Sequence, residues 1–318
     1  MKRLKDENGF WVEDEAELKV LASDYFSGLF TSEVQNPNPQ TIGKVQPHVS
    51  AAINAALPAV YTLEEVKKAL FNIGELKAPG LDGLHSVFYK RCWHIIGEDL
   101  PDEVLLAINT KKIPESWNDT TIVMIPKVKN PEHISQFRPI SLCNVVYKVI
   151  SKLIVARLKI FLPEIISPMQ SAFIPGRLIS DNFLVAFESF HAIKNRRVGS
   201  YGTCAVKLDM HKAYDRVEWN FLKLIMVQLG FDVDWVNLIM ACVSSVRYQA
   251  RLNGSLSDYF SPTRGLRQGD PLSPYLFLLC AEGLTSLITH EESLGNLQGV
   301  KVCRNAPLFH ISYLLTTR

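Results

Sequence analysis

Asp209 closes a run in which Cys204, Val206 and Leu208 alternate with Ala205, Lys207 and Asp209 itself. That period of two is the mark of a half-buried strand, and it puts the carboxylate at the strand's C-terminal end. Many phosphoryl-transfer enzymes hold Mg²⁺ with a carboxylate projecting from a strand end into a cleft. The hard cation takes oxygen ligands, and substrate phosphates complete its shell. An Asp that ends a strand and caps the following helix has the same spacing, so both readings stand at this point. Asp215 reads as a helix-terminus or salt-bridge residue rather than a ligand.

The segment Arg264-Gly265-Leu266-Arg267-Gln268-Gly269-Asp270-Pro271 brings together two guanidinium groups, two glycines that permit close backbone approach, and an amide side chain. Such a loop suits packing against a nucleotide or a template strand, and equally suits an ordinary Gly-Pro turn. Arg138-Pro139 and Pro175-Gly176-Arg177 each read as an exposed arginine on a stiffened turn, open to a structural or a phosphate-contacting role. Gly-x-Ser-x-Gly, Walker, dinucleotide-binding and His-Glu-x-x-His patterns do not occur, which argues against nucleophilic and zinc chemistry. The six cysteines lie far apart without a CxxC pair and read as buried free thiols.

Several elements must position these residues. Leu18, Leu21, Tyr25 and Leu29 have helical spacing within 10–31, and the polar stretch Ser32–Gln46, with Asn36-Pro37-Asn38-Pro39, reads as a linker. Thr62 and Glu65 form a capping box ahead of a helix that Gly74 closes. Lys77–Gly83 reads as a loop, and 85–108 as one amphipathic stretch. The β-branched run within 117–127 suits a strand, and 145–162 returns to helical spacing. Two helices are expected from Phe221 to Gly230 and from Trp235 to Val243. A hairpin then turns at Asn253-Gly254, a pair suited to the positive-φ positions of a type I′ turn, and its return strand runs to Ser261. A last helix starts with Ser273 as N-cap and Pro274 as its first residue.

With 318 residues, 47% of them hydrophobic and 21% charged, the chain can bury one large core or two ordinary ones. Its N-terminus is too charged for a secretory signal and no apolar run is long enough to span a bilayer, so an intracellular protein without membrane contact is expected. The net charge of +2 hides an asymmetry. Residues 110–180 hold ten basic against four acidic residues, whereas 1–60 hold five against eight. A basic middle fits either a surface that meets phosphate backbones or a solvated helix face.

Six ordered segments together resemble the plant LINE-type (non-LTR) retrotransposon reverse transcriptases. They are Lys77–Gly83, Ile125-Pro126-Lys127, Arg138–Leu142, Gln170–Phe173 with Pro175-Gly176-Arg177, Lys207–Met210 leading to Ala213-Tyr214-Asp215, and Gly265–Pro274. The resemblance implies an α+β fold, a right-hand polymerase with an antiparallel sheet packed on helices. It implies an N-terminal extension and linker over 1–60, fingers over 61–200 and a partial palm over 201–318, without a thumb. Asp209 would match the first metal-binding aspartate of the palm. Tyr214 would match the aromatic beneath the incoming sugar, and Gln268 and Gly269 the loop that holds the nucleotide. Arg177 would lie near the triphosphate, and Arg138 and Arg267 near the template. Mg²⁺, an RNA template, a DNA primer and deoxynucleoside triphosphates are the implied cofactor and partners, and a nuclear location would follow from the life cycle of such elements.

The family's stretch like Ile311–Leu315 continues into an aromatic-Ala-Asp-Asp turn, where this sequence reads Thr316-Thr317-Arg318. Leu81 also stands where the family usually has proline. The expectation is a reverse transcriptase truncated before its second carboxylate motif and inactive as it stands. Two other readings stay open, a non-catalytic nucleic-acid-binding remnant and a pseudogene product.

Overall fold

The protein is described by a computed structural model over residues 1–33, 42–195, 205–297, 299–301 and 308–309. The expected linker falls largely on 34–41, outside the described residues. Helix α1 (Glu15–Leu29) begins at Asp14, whose carboxylate accepts from the Ala16 and Glu17 amides. It buries Leu18, Ala22, Phe26 and Leu29. A short hairpin of β1 (Leu4–Lys5) and β2 (Trp11–Val12) precedes it. Helix α2 (Ala51–Ala56) leads to α3 (Leu63–Phe71), where both bonds of the Thr62/Glu65 capping box form. Each satisfies an amide that would otherwise lack a partner at the helix end.

The amphipathic stretch expected over 85–108 divides into three helices, α4 (Ser86–Arg91), α5 (Trp93–Ile96) and α6 (Asp99–Thr110). The apolar spacing survives the breaks, which is why periodicity alone did not reveal them. Helix α7 (Glu115–Asn118) introduces β3 (Asp119–Pro126), which pairs antiparallel with β4 (Phe137–Cys143). Arg138-Pro139 therefore lies in a strand and not in a turn. Proline is tolerated there because β4 is an edge strand of the sheet order β4-β3-β5-β6.

Helix α8 (Val145–Ile165) follows, then α9 (Ile179–Asn195), α10 (Trp219–Gln228) and α11 (Val233–Ser244). Strand β5 (Arg247–Leu252) then joins the sheet beside β3 in parallel register, with Thr120 opposite Tyr248. The sheet is thus mixed rather than antiparallel, because the chain returns to β3 through a long helical crossover, and only such a connection brings two strands together in parallel. Asn253 and Gly254 take φ of +49° and +94° and turn β5 into β6 (Ser255–Leu256). The return strand stops there, and one further bridge joins Tyr248 to Phe260. Helix α12 (Ser273–Ser293) starts with Ser273 as its first residue and Leu272 as its cap. Strands β7 (Val300–Lys301) and β8 (Leu308–Phe309) pair antiparallel.

Two apolar clusters organise these elements. The larger draws on α2, α3, α6, α8, α10, α11 and α12, with Tyr147, Ile150, Trp235 and Leu279 buried in it. It mixes residues from both sides of position 200. The smaller packs α1 on the sheet, with Phe26 and Phe30 against Ile122 and Tyr248. The opening residues of the chain therefore contribute directly to the core on one face of the sheet.

Candidate active site

The loop 264–272 is held on two sides. The Gly265 amide donates to Val217 O and the Leu266 amide to Tyr214 O, both at 2.8 Å. Gly265 has φ of +96°, and a Cβ there would fall 2.8 Å from Asp215 O, so a side chain would separate the two segments. On the other side the Ser141 amide of β4 donates to Gln268 O at 2.8 Å. Gly269, at φ +121°, passes so close that a Cβ would meet Ser141 O at 2.8 Å. Backbone contact at both ends needs glycine at both positions.

This docking brings the Gln268 side chain to Asp215, whose Oδ1 accepts from Nε2 at 2.9 Å. Asp215 is 2% exposed. Burial raises its pKa to about 6, against the opposing pull of the Gln268 bond and of Lys212, Lys127 and Arg216. Lys127, at the β3–β4 turn, is pushed down by burial and by the neighbouring charges of Lys212 and Arg138, with Asp215 opposing. Lys212, in the left-handed region at φ +53°, donates from Nζ to the Tyr25 hydroxyl and lies 4.6 Å from the centre of that ring. Three cations thus surround one carboxylate beside an amide, an arrangement that can receive phosphate oxygens. Tyr214 stacks on Phe277, with ring centroids 5.0 Å apart and planes 14° apart, and burial raises its phenol to about 12.

Asp209 lies on the segment 205–210, which is exposed and forms no strand among the described residues. Val206, Leu208 and Met210 are 75%, 66% and 47% exposed. The Cys204 end of the expected strand lies outside the described residues; over 205–210 no strand forms, because alternation specifies which side chains share a face and supplies no neighbour to bond the backbone. Beside Met210 a cavity of about 490 Å³ opens between α10 and α12, lined by Ala213, Phe221, Phe277 and Leu284 among others.

Two arginines singled out in the sequence turn inward. The Arg177 guanidinium donates to the carbonyls of Pro163, Ile166, Ser167 and Gln170 at 2.5 to 3.0 Å, which caps the end of α8. Arg267, 4% exposed, pairs with Asp270 at 2.8 Å, bonds Asn118 Oδ1 and Cys242 O, and lies 3.9 Å from the centre of the Tyr147 ring. Arg138 stays at the surface of β4, half-buried, beside Lys127. Sequence reading missed the central place of Asp215 and the part of Lys127 and Lys212. The one available signal was that Lys127 and Asp215 lie within segments already marked for their order along the chain, with Lys212 between two of them.

Among the described residues, no three His, Cys, Asp or Glu side chains converge to hold a metal ion. Asp209 offers one carboxylate. Asp215 is bonded to an amide and ringed by ammonium and guanidinium groups, so it is a poor second ligand for a divalent cation. The described donor set does not fit a two-metal centre.

The sequence profile of the family "Reverse transcriptase (RNA-dependent DNA polymerase)" matches residues 125–306. The chain belongs to the reverse transcriptase family. Every residue of the 205–215 and 264–272 segments lies inside that match. The chain is 31% identical over 283 residues to "Transposon TX1 uncharacterized 149 kDa protein" of Xenopus laevis, covering 89% of this chain and 21% of that protein. It is 25% identical over 301 residues to "RNA-directed DNA polymerase from mobile element jockey" of Drosophila melanogaster, covering 88% and 31%. A stretch of 64 residues is 48% identical to "Uncharacterized mitochondrial protein AtMg01250" of Arabidopsis thaliana, covering 20% and 51%. The chain spans a fifth to a third of the length of the two transposon proteins. These matches agree with the resemblance to the non-LTR reverse transcriptases at the level of that domain, and the family implies a divalent metal, a nucleic-acid template and primer, and nucleotides. No helix among the described residues is long and apolar enough to cross a membrane.

Proposed function

We propose that this chain supplies the fingers (61–200) and part of the palm (201–318) of an RNA-directed DNA polymerase from a plant-type non-LTR retrotransposon, with residues 1–60 as an extension that packs on the sheet. The reaction joins a deoxynucleotide to a DNA primer on an RNA template, at the genomic target in the nucleus. The observation that carries this reading is the docking of the 264–272 loop. It bonds to Tyr214 and Val217 on one side and to Ser141 on the other, and it sets Gln268 against Asp215.

In this reading Gln268 and Gly269 hold the base of the incoming nucleotide, Tyr214 lies under its sugar, and Lys127 and Arg138 face its phosphates. Asp209 is one corner of the metal cage, and no step is assigned to the metal here because the described donors do not close that cage. Arg177 and Arg267 act at one remove, by fixing the end of α8 and the base of the loop. The Arabidopsis thaliana match supports the plant assignment.

Among the described residues, no three His, Cys, Asp or Glu side chains converge with Asp209 or elsewhere on a metal ion. Ligands that act as a unit lose most of the rate when one is missing, so these 318 residues alone are proposed not to polymerise. A second reading, nucleic-acid binding without catalysis, is favoured by the same cation cluster. Primer extension on poly(rA) primed with oligo(dT), with Mg²⁺ and dTTP, tests both. The expected result is salt-dependent binding of the hybrid and no incorporation. Incorporation that survives Asp209→Ala would overturn the metal assignment, and failure to bind the hybrid at low salt would overturn both readings.

A further inference from the structure

The N-terminal helix α1 holds both segments of the candidate site. Its last carbonyls, at Leu29 and Phe30, have no later amide of the helix to bond. They accept from the site loop instead. Leu29 O accepts from Arg264 Nε at 2.9 Å, and Phe30 O from the Thr263 and Arg264 amides at 2.9 and 3.0 Å. A Cβ on Gly265 would fall 2.7 Å from the Phe30 ring, so helix and loop touch closely. Ser32, just past the helix, donates from its hydroxyl to Glu218 at 2.6 Å. The loop that carries Gln268 is thus tied to α1, which lies outside the residues 125–306 that the family profile matches.

One turn before Leu29, on the same face of the helix, Tyr25 reaches Lys212. Its hydroxyl accepts from Lys212 Nζ, which lies 4.6 Å from the ring centre. The ring is fixed by edge-on contact with the fully buried Phe26, with centroids 5.3 Å apart. Lys212 lies near enough to Asp215 to feel its charge, yet its side-chain bond among the described residues goes to the Tyr25 hydroxyl. Asp215 is left to accept from Gln268. An ammonium bonded to a carboxylate is neutralised as a pair and offers little to an incoming anion. One held by a neutral hydroxyl keeps its whole charge and two further donors. Tyr25 stays neutral, because burial and then Asp215 raise its phenol, with Arg216 opposing.

We propose that Tyr25 is a positioning residue of the candidate nucleotide site: its hydroxyl holds the Lys212 ammonium off Asp215 and presents it to the phosphates of a deoxynucleoside triphosphate. The proposal rests on the reverse transcriptase reading and adds to it a group supplied by the N-terminal extension. Tyr25 touches no phosphate itself and acts only through Lys212.

The test is a double-variant cycle on the full chain, read as dTTP affinity by calorimetry at low salt. Tyr25→Phe keeps the ring and its contact with Phe26 and removes only the hydroxyl, so the denaturation midpoint should stay near that of wild type. Its dTTP affinity is expected to fall about five- to tenfold, the effect of one charge-assisted bond. Lys212→Met should weaken binding at least as much, and Tyr25→Phe/Lys212→Met no further than Lys212→Met alone. A second readout needs no ligand. In carbon-13 NMR the Asp215 carboxyl, expected to titrate at about 6 in wild type, should titrate lower in Tyr25→Phe as the freed ammonium turns to it. A tyrosine that only packs would leave that titration in place. If wild type binds dTTP and Tyr25→Phe binds it as tightly, or the two losses add in the double variant, the positioning role is overturned and the nucleotide site stands. An unmoved Asp215 titration would overturn that role as well. Failure of the wild-type chain to bind dTTP would overturn the nucleotide site and this proposal with it.

Discussion

At position 215 a carboxylate is surrounded by Lys212, Lys127 and Arg216 and still has its pKa raised to about 6. Burial therefore outweighs three cations, because desolvating the charge costs more than partly exposed ammonium groups return. The Gln268 amide stabilises the ionised form but not enough to reverse the shift. The consequence for stability has a definite sign. Between about pH 4 and about 6 the folded chain binds more protons at this site than the unfolded chain, so the stability due to Asp215 falls as pH rises through that window. Asp215→Asn keeps an acceptor for Gln268 Nε2 and removes the ionisation. At pH 7.5 the variant should be more stable than wild type by on the order of 2 kcal/mol, converging with it near pH 4. Urea denaturation at the two pH values checks this, and parallel stability profiles would show that the carboxylate is not desolvated. Asp209 sits in solvent on the same segment, so its replacement by Ala should leave the denaturation midpoint unchanged.

Helix α8 ends with Pro163 in its last turn, leaving carbonyls that no later amide of the helix can reach. Arg177 returns from the following turn and supplies donors to the Pro163 carbonyl of the helix, to that of its cap Ile166, and to those of Ser167 and Gln170 just beyond it. Arg177→Ala should cost about 2–3 kcal/mol, from charge-assisted bonds lost at a partly buried end, and should speed amide exchange over 162–170. Arg177→Lys should recover only part of this, since an ammonium cannot fork across separated carbonyls. Equal exchange in the variant and wild type would assign the cap to other contacts. The Thr62/Glu65 box and the Asn253-Gly254 turn were legible in the sequence because their determining partners lie within a few residues. The inward direction of Arg177 and Arg267 was not. An arginine beside Gly and Pro reads alike whether its partners are phosphates or carbonyls, and the partners of Arg267 at 118, 147 and 242 come near only in the fold. For the same reason the order of segments along the chain located the site, while the Gln268–Asp215 bond and the parallel β3–β5 register needed the structure.

Taken whole, the molecule satisfies its apolar surface unevenly. The two core clusters enclose residues such as Tyr147, Trp235 and Tyr248 almost completely, while α9 presents Phe183, Phe187 and Phe190 at 59%, 59% and 60% exposure. Leu184 on the same helix is 58% exposed, and Val206 and Leu208 on the 205–210 segment are exposed as well. Soluble monomers rarely expose contiguous apolar patches of this kind, and such patches drive association or bind amphiphiles. The chain should therefore enhance the fluorescence of anilinonaphthalene sulfonate under native conditions and sediment as larger species as its concentration rises. Phe183→Ser/Phe187→Ser should reduce both effects. The cost in stability should be small, about 1 kcal/mol, because both residues are more than half exposed and contribute little of the buried area. The distinguishing measurement is the denaturation midpoint of that double variant. A large destabilisation would mean that α9 is covered by other parts of the molecule in solution, and the association would then need another source.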